Sequence, residues 1–458
     1  MSPPKPATAR AVAVRVLTRA NPKKADVAHV LADFIKRTDE TQRTTDLVFG
    51  VLKNRYLIDF VIEKCSTVPV KRIMAEILNI LRVALYELIY CPQAADYAIV
   101  DEAVDYAKRI TNAKQAGFVN AVLRQTLRHI RSRRIPLEQA HLRRTVPQTP
   151  GTGCEFDIEM LPDRDESPQE YLSCAFSLPR WLVESWLAEY GQEQTREICF
   201  ASNRRPSIYL RPNILRITVD GLIEKLQSEG VQCEVVAQMD MIRVDSPGAI
   251  AALPGFSDGF FTVQDISIAA VVRVLQPKPD WSILDLCAAP GTKTTQLVEA
   301  TGGRAEIVAT DIAPTRLKML KEGVDRLGLS KSVTAIEFEE LQRTGFDCVL
   351  LDVPCSNTGV LARRPEVRYR LTKSAIEGLA DTQLSLLSRA KRLLKPGGVI
   401  CYSTCSIQPN ENGFLVRRFL NDNSGSKLKL ERLTLPSAEG FDHDGSYVAI
   451  IANEAGVL

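Results

Sequence analysis

Two cysteines stand where a nucleophile would be useful. Cys355 closes the stretch L-L-D-V-P-C and Cys405 lies in Y-S-T-C-S, each just past an apolar run that reads as a buried strand. A thiolate at such a strand end faces a ligand crevice and can attack an electrophilic carbon. Cys348 and Cys401 fall inside the same runs and read as small apolar filler. Asp352 precedes Cys355 by three residues and offers a carboxylate to the same crevice. No histidine is near Cys405 in sequence, so Lys293, a cationic ligand or a phosphate are the candidates to assist its deprotonation.

A second group of residues could hold a ligand. In L-D-L-C-A-A-P-G-T-K, a short strand is broken at Pro290 and Gly291, and a helix starts at Thr292. Such a strand, tight turn and helix N-terminus present backbone N–H groups, here from Cys287, Ala288, Ala289, Gly291, Thr292 and Lys293 around Pro290. The turn lacks G-x-G-x-x-G, which argues against a pyrophosphate cradle and hence against a dehydrogenase. Asp311 ends the strand I-V-A-T-D and can accept hydrogen bonds from ribose hydroxyls. Its alternative role is to cap the helix opening at Pro314.

Alternating strands and helices must position these groups. From about Phe260 the pattern predicts strands near 282–286, 305–310, 333–338, 346–351 and 398–403, with helices between them. That is a doubly wound, mainly parallel sheet, which binds ligands outside the carboxyl ends of its strands. Two further strands near 428–433 and 446–452 would form an antiparallel edge and bring the total to seven. FTVQDISIAAVVRVL reads as a helix entering this domain, which is placed at 258–458.

Upstream, residues 1–134 read as an all-α bundle. Val27, Val30, Leu31, Phe34 and Ile35 recur at helical spacing, as do Ile99, Val100, Ala103, Val104, Ala107 and Ile110. RIMAEILNILRVALYELIYC is apolar nearly all round, as a central bundle helix would be. Residues 135–168 are rich in proline and glycine and read as a linker. Residues 169–257 read as a small α/β module with a helix around Trp181 and Trp186, a strand at SIYLRPN, a helix at TVDGLIEKLQSEG and paired strands.

Charge is uneven. Residues 1–145 hold 25 Lys/Arg against 14 Asp/Glu, and the remainder 33 against 41. A basic front half suits phosphate contact, although a solvated helical surface explains it too. Arg204, Arg205 and Arg211 could face RNA or solvent equally well. The 11 cysteines form no C-x-x-C pair, the four histidines have no metal-ligand spacing, and neither a signal peptide nor a membrane span is evident. These features predict a cytoplasmic protein with free thiols, no structural disulfide and no metal.

The N-terminal A-R-x-x-A-V-x-V-L and G-F-V-N-A-V-L-R patterns resemble the NusB family of RNA-binding domains; a docking domain without RNA contact is the plain alternative. LDLCAAPGTKTTQL, Asp311, LLDVPCSNTGV and VICYSTCSIQPNEN together resemble the RNA cytosine-5 methyltransferases, and the helical bundle narrows this to the RsmB type, also called Sun or Fmu. That resemblance implies a Rossmann-like domain using S-adenosylmethionine, bound by Cys287 to Lys293 and Asp352, with Asp311 on the ribose. An acidic residue on the adenine side would be Glu337. Cys405 would attack C6 of a cytosine in 16S rRNA, Cys355 would assist release, and Asp352 would hold N3 and N4 of the base. Arg363, Arg364, Arg368, Arg370 and Lys373 would hold the RNA backbone. The substrate would be 16S rRNA, free or in a partly assembled small subunit, and the enzyme a monomer. The competing readings are an exocyclic-amine methyltransferase, disfavoured by S-T-C at 403–405, and a non-catalytic RNA-binding factor, disfavoured by the intact motifs. The chain departs from the family in a longer connector at 135–168 and in lacking a basic C-terminal finish.

Overall fold

The computed structural model describes residues 7–24, 27–245 and 248–454; the outermost ends of the expected first and last domains, including the final Ala455–Leu458, lie outside them. The chain divides into two units: Met1–Arg205 with Leu361–Arg370, and Pro206–Val360 with Leu371–Leu458.

The first unit begins with α1 (Ala9–Arg19), α2 (Val27–Ile35), α3 (Thr41–Cys65), α4 (Ala75–Tyr90), α5 (Asp96–Ile110) and α6 (Ala113–His129). Thr8 caps α1 and Asn112 caps α6 through side-chain oxygens that accept backbone N–H bonds. As its all-round apolar sequence predicts, α4 is the buried centre, packed against α1, α3, α5 and α6. Its one buried cation, Arg82, donates two 2.7 Å bonds to Asp59 of α3.

The segment expected to be a linker is instead ordered. β1 (Ile130–Pro136), β2 (Thr145–Thr149) and β3 (Thr152–Phe156) form an antiparallel sheet in the order β1-β3-β2. Pro150 and Gly151 are the two-residue turn of the β2–β3 hairpin, so the residues that looked like a chain break are turn residues between strands. Arg133 of β1 reaches the C-terminal end of α4 and donates to the carbonyl oxygens of Glu87, Leu88 and Cys91, where a cation satisfies both the orphan carbonyls and the helix dipole. α7 (Pro168–Phe176) and α8 (Arg180–Asn203, broken at Gly191 with φ +74°) complete this part of the unit.

In the second unit, β4 (Ile208–Pro212), α9 (Val219–Ser228), β5 (Cys233–Val236), β6 (Met241–Val244) and β7 (Phe261–Val263) build an antiparallel sheet ordered β5-β6-β4-β7 around Leu210, Leu222, Leu226 and Phe261. β7 corrects the expected helix start: Phe261–Val263 pairs with β4, and helix begins only at α10 (Ile266–Leu275), where Asp265 caps it. Paired strand bonds satisfy the backbone here before a helix can.

The large sheet follows: β8 (Ser282–Asp285), α11 (Thr292–Ala300), β9 (Glu306–Asp311), α12 (Pro314–Leu327), β10 (Val333–Glu337), β11 (Phe346–Asp352), then α13 (Val367–Arg370) within the segment assigned to the first unit, α14 (Lys373–Leu393), β12 (Leu394–Thr404), α15 (Gly413–Asn421), β13 (Ser426–Thr434) and β14 (Ser446–Asn453). Its order is β10-β9-β8-β11-β12-β14-β13, with β10 through β12 parallel and β14 and β13 antiparallel. Each face carries its own apolar core, and Cys348 and Cys401 are fully buried within one of them, as filler should be. Among the described residues no helix is long and apolar enough to cross a membrane.

Candidate active site

Four neighbouring parallel strands end in a carboxylate. In sheet order these are Glu337 on β10, Asp311 on β9, Asp285 on β8 and Asp352 on β11, and Cys405 follows the end of the next strand, β12. The register pairs Glu337 with Asp311 and Asp352 with Ser403, while Asp285 pairs with Ala309 and Leu350 and so sits two residues short of Asp311 and Asp352 along the same edge.

The turn after β8 is fixed by its neighbours. Leu286 N–H donates to Leu350 O and Ala288 N–H to Thr310 O, which lock the turn onto both neighbouring strands. Gly291 has φ +104°, and a Cβ there would come 3.0 Å from Leu320 Cγ, so only glycine fits. Cys287 and Thr292 are half-buried, Ala288, Ala289, Gly291 and Lys293 are buried, and Pro290 is exposed.

Asp285 is buried, and its environment is unequal. Oδ2 accepts 2.7 Å from Thr294 Oγ1, while Oδ1 has no partner in the protein. Burial drives its pKa up to about 7, with Asp352 and Asp311 adding repulsion. The same burial pushes the Cys287 thiol up to about 12. Asp311 is also buried: Oδ2 accepts from Ala289 N–H and Oδ1 from Ala313 N–H, with Arg316 at 3.5 Å. It thus secures the turn after β8 and the entry to α12 together, whose N-cap residue is Ala313. Glu337 is exposed and forms a capping box with Glu340.

The thiols meet. Cys355 Sγ and Cys405 Sγ lie 2.9 Å apart, and both cysteines are free. Cys405 Sγ also lies 3.3 Å from Asn357 Oδ1, and Asn357 Nδ2 donates to Cys355 O at 2.7 Å. Asn357 takes the left-handed conformation at φ +60°, which asparagine tolerates in a turn. Lys293 Nζ reaches Asp352 Oδ2 at 2.7 Å, and Ser403 Oγ donates to Asp352 Oδ1 at 3.1 Å. Burial opposes the charge on Lys293, but Asp352, Cys405 and Asp285 outweigh it and raise its pKa, so the ammonium is held. The hydrogen bond with Cys405, then burial, pushes the Cys355 thiol well above its ordinary range. Of the two sulfurs, Cys355 is the one whose surroundings disfavour the thiolate.

The basic residues after Cys355 divide. Arg364, Arg370 and Lys373 are exposed and Arg363 is half-buried. Arg368, expected on RNA, is buried instead: its guanidinium donates to Lys53 O, Phe176 O, Ser202 O and Asn203 Oδ1 within the first unit. A planar five-donor group can serve several orphan carbonyls at once, which explains the burial of a residue whose charge suggested solvent. Arg211 is corrected in the same way. It is buried against both oxygens of Glu299, Gln264 Oε1 and Thr292 O, and so braces α11 rather than facing RNA. Arg205 is exposed and pairs with Asp46 at 3.3 Å.

Sequence reasoning passed over Asp285, Asn357 and Glu411. Asp285 is the D of L-D-L-C, and an acid ending a buried strand was a readable signal. S-N-T-G after Cys355 marked a turn, but nothing marked its asparagine as a neighbour of Cys405.

Residues 272–450 match the family model described as 16S rRNA methyltransferase RsmB/F, residues 7–128 that of the NusB family, and residues 178–251 that of a ferredoxin-like domain of RsmF/B-like methyltransferases. The chain is 32% identical to a probable ribosomal RNA small subunit methyltransferase B of Synechocystis sp., over 86% of this chain and 84% of that relative. It is 29% identical to a protein of the same name from Bacillus subtilis, over 96% and 95%. Among solved structures, a methyltransferase homolog protein from Pyrococcus horikoshii superposes with a TM-score of 0.52 at 26% identity, covering 62% of this chain and 99% of that one.

Proposed function

Because the chain belongs to the RsmB/F family of 16S rRNA methyltransferases, we propose that it methylates C5 of a cytosine in 16S rRNA, with S-adenosylmethionine as methyl donor, through a covalent bond between Cys405 and C6 of the base. The observation that carries this reading is the pair of free thiols 2.9 Å apart beside the Lys293–Asp352 ion pair. An enzyme methylating an exocyclic amine has no use for two juxtaposed thiols, one of them placed beside an ammonium.

The residues present fit the cofactor. Three carboxylates on adjacent strand ends, one with an unpartnered buried oxygen, suit a ligand bearing positive charge and hydroxyl groups. Residues 287–293 would hold it, with Asp285, Asp311 and Glu337 along the strand ends. When bound, S-adenosylmethionine supplies an electrophilic methyl group on a sulfonium.

Cytosine C5 is a poor nucleophile. Addition of the Cys405 thiolate to C6 makes C5 enamine-like and able to take a methyl group. Lys293 stabilises the thiolate and keeps Asp352 oriented. Asp352 faces the N3 and N4 edge of the base and favours a proton on N3 as C6 is attacked. Loss of the C5 proton to water re-forms the C5–C6 double bond and expels Cys405 from C6 as a thiolate. Cys355, which keeps its proton more firmly, assists that release. The target base must be unstacked to enter, and Arg364, Arg370 and Lys373, which are exposed, would take phosphates.

The test uses Cys355→Ala and Cys405→Ala, each mixed with 16S rRNA and S-adenosylmethionine and run on a denaturing gel. Cys355→Ala is expected to accumulate a slow protein–RNA band, and Cys405→Ala to give neither band nor product. The reverse pattern exchanges the roles, and methylation by both variants removes the covalent mechanism.

A further inference from the structure

Glu411 follows Y-S-T-C-S by a few residues and is wholly buried. Oε1 accepts 2.8 Å from the backbone N–H of Ser356 and 3.1 Å from Gln383 Nε2. Oε2 accepts 2.5 Å from Ser406 Oγ and also binds Ser356 Oγ. Ser356 directly follows Cys355, and Ser406 directly follows Cys405. One carboxylate therefore holds the residue after each thiol.

We propose that Glu411 is a positioning residue that sets the separation of Cys355 and Cys405; the catalytic consequence rests on the function proposed above. Its donors are two hydroxyls, a backbone N–H and an amide, all neutral. A carboxylate is costly to bury unless its lone pairs are used, and here they are spent on the two cysteine loops. The surrounding bonds belong to the same frame. Ser356 Oγ and Ser406 Oγ are 3.0 Å apart, Gly359 N–H donates to Cys405 O at 3.0 Å, and Gln383 Nε2 also donates to Pro354 O at 2.9 Å. Tyr402 Oη donates 2.6 Å to Glu411 O and fixes the acid itself. Without the carboxylate, the loops keep the Gly359–Cys405 backbone bond but lose the one group that holds the residue after each thiol.

The test is Glu411→Gln in the full-length protein, with two readouts. In the first, diamide oxidises the Cys355 and Cys405 thiols to a disulfide, followed by mass spectrometry without RNA or cofactor. The rate reports thiol proximity whatever the enzyme methylates. In the second, methylation of 16S rRNA is measured as kcat and KM. Glu411→Gln is expected to slow disulfide closure at least about tenfold and to lower kcat on the order of 10²-fold with KM little changed, since about 1 Å of misplacement can cost that much. Ser356→Ala, which keeps the backbone donor and loses only the hydroxyl, is expected to show both effects more weakly. It serves as the deciding variant if Glu411→Gln does not fold. Unchanged disulfide closure in a folded variant overturns the proposal. Slowed closure with unchanged kcat overturns its catalytic consequence. Wild-type closure without methylation of the RNA would count against the proposed function and leave the positioning role standing.

Discussion

Asp285 gives the site a stability signature that is separable from catalysis. Its carboxyl titrates at about 7 in the folded protein, against about 3.9 in an unfolded chain. The native state therefore binds this proton more tightly than the unfolded state, so the associated stability is fully present at low pH and is lost as pH rises through 7. A shift of about three units corresponds to about 4 kcal/mol in full, of which about 2.5 kcal/mol falls between pH 5 and pH 8. Asp285→Asn keeps an acceptor for Thr294 and removes the titration. Urea unfolding at the two pH values, read by pulsed labelling of the buried Cys348 and Cys401 on the same sheet, compares the variant with wild type. Other titrating groups cancel in the comparison. The variant should gain about 2.5 kcal/mol on wild type in going from pH 5 to pH 8. A difference that stays constant across that range would refute the assignment of a buried Asp285 that titrates at about 7.

Three further perturbations separate roles that look alike in sequence. Lys293→Met should lower kcat by about 10²-fold or more with RNA affinity retained, because it removes the cation beside the reacting thiol; single-turnover kinetics measure this. Arg368→Ala should cost about 3 kcal/mol or more by leaving buried acceptors unpaired, seen as a lower Tm, whereas Arg364→Ala, Arg370→Ala and Lys373→Ala should leave Tm unchanged. Those three should instead weaken RNA binding and each reduce its salt slope by about one. Gly291→Ala should destabilise the protein by about 1–3 kcal/mol through its positive φ and abolish methyl transfer, checked by urea unfolding and product analysis.

The large sheet was legible because apolar runs, breaking turns and strand-end motifs agreed at every level. Cys348 could be told from Cys355 by its place within a run rather than after it. Other features depend on partners far off in sequence. Lys293 and Asp352 each stood in a motif, but only the adjacency of β8 and β11 joins them into an ion pair. Arg211 and Arg368 carry charges that suggest solvent, and their burial is decided by carbonyl and carboxylate acceptors that no local pattern announces. The hairpin at Pro150–Gly151 was hidden by its own turn residues. Glu411 sat in N-E-N, which reads as a polar loop, and its two serine partners are identified only by where the loops meet.

The assignment of Leu361–Arg370 to the first unit has a consequence for anyone who would cut this protein apart. The polypeptide passes from one unit to the other at 205/206, again at 360/361, and back at 370/371. No single protease nick or gene truncation can release the large-sheet unit whole. A fragment beginning at Pro206 would carry Arg368 and Tyr369 stripped of their acceptors, which include the carbonyl oxygens of Lys53 and Leu52. The N-terminal fragment would lack a piece of its own interior. Co-expressing the two fragments, rather than either alone, is the arrangement that keeps those bonds available.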